Sequence, residues 1–287
     1  MGLKKTLNPF LGLLGYKITN ARSVVIGDFT YTPKARQSFS TSPIAAIFKK
    51  DYTEKMEIYQ NRVSTIAKYE SFFKNIPLAD PNDQITPCWN NKAIPHIDAA
   101  ALYTFITERN PRYYVECGSG NTTKFVARAI RDHALRTEII SIDPCPRVEI
   151  DQLCSKIFRI PFEDMDMDFF KTLTEEDIFL ADNSHRSFPN SDVTVFFTEV
   201  LPTLPSGMLY AIHDIALPYE VHTDLFYNEQ YMLAVYILGG MMGDSIYFPT
   251  GFLGSCTNLL HNLNDELMSD HSLSLVATDG FFWAQKK

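Results

Sequence analysis

Acids and histidines recur in this 287-residue chain at the ends of short apolar runs. Glu116 lies at the end of "RYYVEC", Asp143 ends "EIISID", Glu163 and Asp164 follow "KIFRIPF", Asp182 and His185 follow "DIFLA", and His213 with Asp214 ends "GMLYAIHD". Carboxylates in such places accept hydrogen bonds from ligand hydroxyls and favour a cationic ligand, and no lysine stands near them in sequence. Paired with imidazoles they can also move a proton or hold a divalent ion.

Between the first run and the next helix stands "ECGSGNTT", with Gly118 and Gly120 expected to let the backbone turn tightly and approach a ligand. The loop lacks the third glycine of a dinucleotide fingerprint and the GKS/T ending of a phosphate-cradling loop. Taken alone it also admits a plainer reading, a strand-to-helix turn capped by Thr122. Asp143, however, comes roughly twenty residues after the glycines, where a carboxylate can accept from both hydroxyls of a ribose. Without the third glycine, a ligand lacking a pyrophosphate is favoured.

The elements that must position these residues alternate. "HIDAAALYTFITERN" and "TTKFVARAIRDHA" have helical spacing, "RYYVEC", "EIISID", "KIFRIPF", "DIFLAD" and "GMLYAIHD" read as strands, and "DVTVFFTEVLPTL" reads as a helix before the last of them. "EQYMLAVYILGG" is helical, and "SIYFPTGF" and "LSLVATDGFFWAQ" are expected to close the sheet edge. Strands separated by helix-length segments predict βαβ units and an α/β fold, with ligands at the carboxyl ends of the strands. Upstream, Met56, Tyr59, Val63, Ile66 and Tyr69 space a helix over about 51–74, whereas residues 1–50 read as loop. The expected division is an N-terminal arm and helical extension over 1–90 and a Rossmann-like domain over 91–287.

Composition narrows the class. Apolar residues make up 45% and no run reaches the roughly 18 residues of a membrane span, so a soluble protein is expected. Five scattered cysteines form neither a disulfide framework nor a paired zinc pattern, which points to a reducing, cytoplasmic compartment. A net charge of -8 argues against general nucleic-acid binding. That charge is split between +7 over residues 1–50 and -15 over the remainder. The basic start reads as an arm folded over the domain, with peripheral contact to an anionic membrane or to an acidic partner as the alternative.

The stretches "VECGSGNTT", "IISIDP", "IFLADNSHRSFPNSDVTVFFTEVLPTLPSGMLYAIHDIALPYE" and "YNEQYMLAVYIL" resemble the class I S-adenosylmethionine-dependent methyltransferases, and more narrowly a group associated with bacterial glycan and secondary-metabolite genes. The likeness covers about residues 97–250. It implies a seven-stranded, mostly parallel sheet with helices on both faces, and S-adenosylmethionine as cofactor. It further implies that Glu116, Gly118 and Gly120 hold the methionine portion, with Ser119, Asn121 and Thr122 completing the loop. Asp143 would hold the ribose, Glu163 and Asp164 would lie near adenine, and Asp182 with Asn183 would close over the cofactor. Asn183 stands where the group has serine, and Ala181 where a bulkier residue is usual; both departures touch the acceptor pocket.

The implied activity is O-methylation of a sugar, glycan or other small polar acceptor. A hydroxyl acceptor needs a base or a metal, because the free alcohol is a poor nucleophile at neutral pH. His213 beside Asp214 is the leading base and His185, three residues past Asp182, the second; a structural hydrogen bond fixing a loop is the alternative role of each. Asp182, His213 and Asp214 could instead bind a divalent ion such as magnesium, as related macrolide-sugar and catechol methyltransferases do with acids at similar strand ends. Ser191 and Asp192 read as a helix cap, and Glu229 and Gln230 as a helix start within reach of the acceptor. A catalytically silent cofactor-binding scaffold is the rival function, and a nicotinamide oxidoreductase is disfavoured by the incomplete glycine fingerprint.

Overall fold

In the computed structural model the described residues are 41–79, 81–146, 149–220, 228–256, 259–260 and 279–287, all within the unit Arg36–Lys287. Residues 1–40, most of the basic arm with its expected membrane or partner contact, lie outside the described residues, as does most of "EVHTDLFY".

Seven short runs rich in aromatic and branched residues pair into one sheet: β1 (Tyr113–Cys117), β2 (Glu138–Ile142), β3 (Lys156–Phe158), β4 (Ile178–Ala181), β5 (Leu209–Ile215), β6 (Ser245–Pro249) and β7 (Gly280–Gln285). The order is β3-β2-β1-β4-β5-β7-β6. β1 runs parallel to β2 and β4, β2 to β3 and β4 to β5, whereas β7 is antiparallel to both β5 and β6. Every residue of β4 is buried, which requires cover on both faces and explains its unbroken apolar sequence. This is the α/β, Rossmann-like class I methyltransferase fold that the sequence predicts. Strand order reverses between β1 and β4, so their carboxyl ends splay apart and open a crevice.

Nine α-helical segments accompany the sheet among the described residues: α1 (Pro43–Glu54), α2 (Met56–Ala67), α3 (Glu70–Phe73), α4 (His96–Arg109), α5 (Asn121–His133), α6 (Met167–Phe170), α7 (Asp192–Val195), α8 (Gln230–Leu238) and α9 (Thr250–Cys256). Phe105 of α4 meets Tyr247, Phe248 and Trp283 edge-on, with ring centroids 5.2–5.6 Å apart. Phe196 stacks on Phe179 of β4 at 5.5 Å. Phe48 of α1 packs on Phe252 and Phe282, and Tyr59 of α2 on Phe248, so these upstream helices share the core of the sheet. Among the described residues, no helix is long and apolar enough to cross a membrane.

Four expectations are corrected. Residues 43–50, read as loop, begin α1: Ser42 caps it by accepting from the Ala45 N–H, and Pro43 occupies the first turn, where its missing N–H costs nothing. Met56 is 41% exposed although Tyr59, Val63 and Ile66 are buried: the helical stretch breaks at Lys55, which leaves Met56 as the first residue of α2. The segment "DVTVFFTEVLPTL" is not one α-helix; it passes from α7 into a π turn over Phe196–Val200 and a 3-10 turn over Leu201–Thr203, the latter containing Pro202. Finally, the last strand does not lie at the sheet edge. β7 inserts between β5 and β6, leaving β6 outermost.

Candidate functional site

A cleft of about 420 Å³ opens at the β1/β4 crevice, within the range of roughly 300–1,000 Å³ usual for small-ligand sites. Its walls include Gly118, Ser119, Gly120 and Asn121 after β1, Asp143 after β2, Glu163 after β3, and Asp182, Asn183 and Ser184 after β4. Asp192 adds a further acid, and no lysine or arginine lines it among the described residues. The lining suits a ligand with positive charge and several hydroxyls.

The two glycines of the loop differ. Gly118 has φ +81°, and a Cβ there would sit 1.7 Å from the Asp182 carbonyl oxygen, so the backbones of β1 and β4 approach closely at the crevice floor. Gly120, expected to share in the tight turn, has extended backbone at φ 173°; among the described residues a Cβ there would meet nothing within 4 Å. Its value is the open space above it. The α5 cap is likewise not Thr122. The Thr123 hydroxyl accepts from the Gly120 N–H at 3.0 Å, while Thr122 Oγ1 donates inward to Glu116 Oε2 at 3.0 Å.

Glu116 does not line the cleft. Fully buried beneath the loop, it accepts from Tyr114, Thr122 and Thr123, and burial pushes its carboxyl up to about 7 even though these hydroxyls pull the other way. It therefore acts on the loop from below, by holding the first turn of α5. Asp143 faces the cleft while its two oxygens accept from the Ser119 and Cys145 N–H groups, each at 2.8 Å. Arg159 steadies this strand end by donating to the Asp143 carbonyl at 3.0 Å and to Ser141 Oγ at 3.2 Å, and by pairing with Asp151. Glu163 lines the cleft; Asp164 is exposed and outside it. Ser191 does cap α7, and Asp192 accepts from the Ser184 N–H and hydroxyl, pinning the loop after β4.

At the ends of β4 and β5 the structure gathers Asp182, His185, His213 and Asp214. His213 Nδ1 lies 3.1 Å from Asp182 Oδ1 and 3.4 Å from Asp214 Oδ1; His185 Nε2 lies 3.5 Å from Asp182 Oδ1 and 3.3 Å from Asp214 Oδ2. Two local distortions bring them together. The pairing of β5 with β7 shifts between Ile212 and Ile215, and Asp214 takes φ +54° within that bulge. His185 also has left-handed backbone, φ +57°.

The imidazoles are not equivalent. His213 is buried, its ring against Phe281 at 4.9 Å, and its Nε2 has no hydrogen-bond partner among the described residues. His185 is the more accessible, and its Nδ1 faces fully buried Glu229 Oε1 at 2.6 Å. Burial opposes the charge on both rings, but the surrounding carboxylates outweigh it: His185 is pushed up to about 11, chiefly by Asp182 and Glu229, and His213 up to about 9, chiefly by Asp182 and Asp214. Burial would raise Asp182; the His213 and His185 charges prevail and hold it well below the carboxylate range. Sequence reading places Glu229 at a helix start within reach of the acceptor, whereas the structure sets it against His185. Its partner lies 44 residues away, so no local signal marks it. Gln230 serves the scaffold, accepting from the Ala216 N–H and donating to the Tyr219 carbonyl.

Comparison with known proteins follows this geometry. Residues 115–215 match the family described as methyltransferase domain. No curated protein matches the chain as a relative. Among solved structures, the MycE methyltransferase of the mycinamycin biosynthetic pathway, in complex with Mg, SAH and mycinamycin VI, is 16% identical at a TM-score of 0.36, covering 53% of this chain and 50% of that one. The O-methyltransferase TomG from Streptomyces achromogenes, in complex with SAM, is 13% identical at 0.38, covering 79% and 89%. An O-methyltransferase from Bacillus cereus in complex with SAH is 10% identical at 0.38, covering 79% and 91%. The chain thus spans about half the length of MycE, and likenesses this distant add nothing to the fold read from the strand order. Residues 115–215, which run from β1 to β5 and carry the cleft, are matched as a methyltransferase domain.

Proposed function

We propose that the chain is an S-adenosylmethionine-dependent methyltransferase acting on a hydroxyl of a sugar, glycan or other small polar acceptor. The observation that carries this reading is the junction, at one crevice, of an acid-lined ligand cleft with the Asp182–His185–His213–Asp214 cluster.

Methyl transfer from a sulfonium is an in-line displacement. The acceptor oxygen forms its bond to the methyl carbon as the carbon–sulfur bond breaks; the electron pair stays on sulfur, and the hydroxyl proton leaves to a base. Much of the acceleration comes from holding the reacting atoms on one axis. Gly118 to Asn121 would bind the cofactor, Asp143 its ribose hydroxyls and Glu163 the adenosine end. Glu116 positions the loop through Thr122 and Thr123. Asp182 lines the cleft at its boundary with the cluster and would face the sulfonium side of a bound cofactor.

His185 is the better-placed proton acceptor, being more exposed than His213. The surrounding carboxylates favour the protonated form of both rings. A cationic cofactor beside Asp182 opposes that field and returns the rings toward the neutral form a base requires. A divalent ion also fits the donor set: Asp182, Asp214 and the facing imidazole nitrogens would hold it, and it would lower the pKa of an acceptor hydroxyl.

Calorimetry with S-adenosylhomocysteine and NAD, followed by a mass-spectrometric screen of hydroxyl acceptors for a product heavier by one methyl group, tests the proposal. Binding of NAD alone sinks it. Binding of S-adenosylhomocysteine without transfer across the panel, together with no cellular effect of His185→Gln or His213→Gln, favours the silent scaffold.

A further inference from the structure

We propose that Asp182, His185, His213 and Asp214 form a site that prefers an imidazole-seeking dication of the zinc class over magnesium. Four observations bear on it. His213 Nδ1 lies 3.1 Å from Asp182 Oδ1 and 3.4 Å from Asp214 Oδ1, and His185 Nε2 lies 3.5 Å from Asp182 Oδ1 and 3.3 Å from Asp214 Oδ2, so each imidazole faces both carboxylates. A tetrahedral ion with bonds of about 2.0–2.1 Å has ligand-to-ligand edges of about 3.3–3.4 Å. The spacings through Asp182 Oδ1 match such edges for Asp182, His185 and His213, and Asp214 would turn one of its two oxygens to the fourth position.

The donor types point the same way. Magnesium demands oxygen ligands in octahedral geometry, and half of the facing atoms here are ring nitrogens; imidazole suits zinc, nickel and copper. Next comes the support behind the ligands. Metal-bound histidines usually present their other nitrogen to a carboxylate or carbonyl, which fixes the ring. Glu229, fully buried, sits 2.6 Å from His185 Nδ1 and aims Nε2 at Asp182 and Asp214. Lastly, His213 is locked by burial against Phe281 with Nδ1 directed at Asp182. Asp182, His185 and His213 each offer a ligand atom within 4.8 Å of the others.

The same distances suit a metal-free network of shared protons, which is the competing outcome. The assignment concerns the cleft of the proposed methyl transfer, yet it stands on ligand geometry and is measured apart from it.

The test uses the full chain stripped by chelation and titrated with Zn²⁺, Co²⁺ or Mg²⁺ by calorimetry and thermal shift. Expected are one equivalent of Zn²⁺, affinity at least ~100-fold above Mg²⁺, and a four-coordinate visible spectrum with Co²⁺, with nitrogen donors favouring the softer ions. His185→Gln and His213→Gln should each weaken Zn²⁺ by roughly 10-fold or more, on the scale of losses seen even for supporting residues. Asp214→Asn, at a side chain 38% exposed, should do likewise without threatening the fold. Cys145→Ser, which removes an exposed thiol, should leave Zn²⁺ binding unchanged. Equal affinity for Mg²⁺, no one-to-one binding, or Zn²⁺ affinity indifferent to all three site variants overturns the assignment. Failure of the stripped protein to bind S-adenosylhomocysteine would count against the methyltransferase reading and leave the metal result standing.

Discussion

Replacing Glu116 with glutamine is expected to stabilise the protein at alkaline pH and to change little near pH 5. Burial raises the folded-state pKa from 4.5 to about 7. Between those values the unfolded chain has lost its proton while the native carboxyl keeps it, so native stability falls as pH rises through this window and levels off above about 7. At 1.36 kcal/mol per unit the ionised side chain costs about 3 kcal/mol, which for a protein of this size corresponds to roughly 6–12 °C in Tm. Glutamine carries no charge, and the hydroxyls of Tyr114, Thr122 and Thr123 can rotate to meet its amide. Thermal denaturation of both proteins from about pH 5 to pH 8.5 should therefore give Tm curves that diverge in favour of Glu116→Gln. Glu116→Ala also lacks the charge but strands the three hydroxyls, so it should run below Glu116→Gln at every pH, by about 1–3 kcal/mol. A pH-independent difference between wild type and Glu116→Gln would refute the burial argument.

Gly118→Ala places a Cβ 1.7 Å from the Asp182 carbonyl at a positive φ, so the variant should fail to fold or lose S-adenosylhomocysteine binding in calorimetry. Gly120→Ala meets no atom of the described residues within 4 Å, so it should melt within about 1–2 °C of wild type and still bind the cofactor more weakly, because Gly120 lines the cleft. Activity should rise with pH as the base loses its proton, and Asp182→Asn should move that rising limb of kcat/KM down by about 1–2 pH units, since an opposite charge at this range shifts a pKa by about that much. Phe105→Ala removes the ring that meets Tyr247, Phe248 and Trp283, and chemical denaturation should show a loss of about 3–5 kcal/mol.

Much of the fold was legible because its signals are local. "HIDAAALYTFITERN" and "TTKFVARAIRDHA" have helical spacing and became α4 and α5, and the apolar runs between became the parallel strands. α1 escaped notice because Ile44, Ala45 and Phe48 bury one narrow stripe in a stretch dominated by loop formers, and its stability comes from Phe252 and Phe282, far away in sequence. The insertion of β7 between β5 and β6 leaves no local trace either, since antiparallel and edge positions both accept a run such as "GFFWAQ".

The site divides in the same way. Residue types and their places at strand ends, set by hydrophobic periodicity and glycine spacing, were decided by the sequence alone: carboxylates and imidazoles at one end of an α/β sheet, with a short glycine loop. Which of those groups face ligand and which face protein was decided only by the tertiary structure. Glu116 turns under its loop to Thr122 and Thr123, Asp164 points to solvent, and a bulge in β5 with two left-handed residues carries Asp214 and His185 to Asp182. Glu229 reaches His185 across 44 residues. Such contacts depend on the packing of distant segments, and side-chain direction at a strand end changes with a single residue of register.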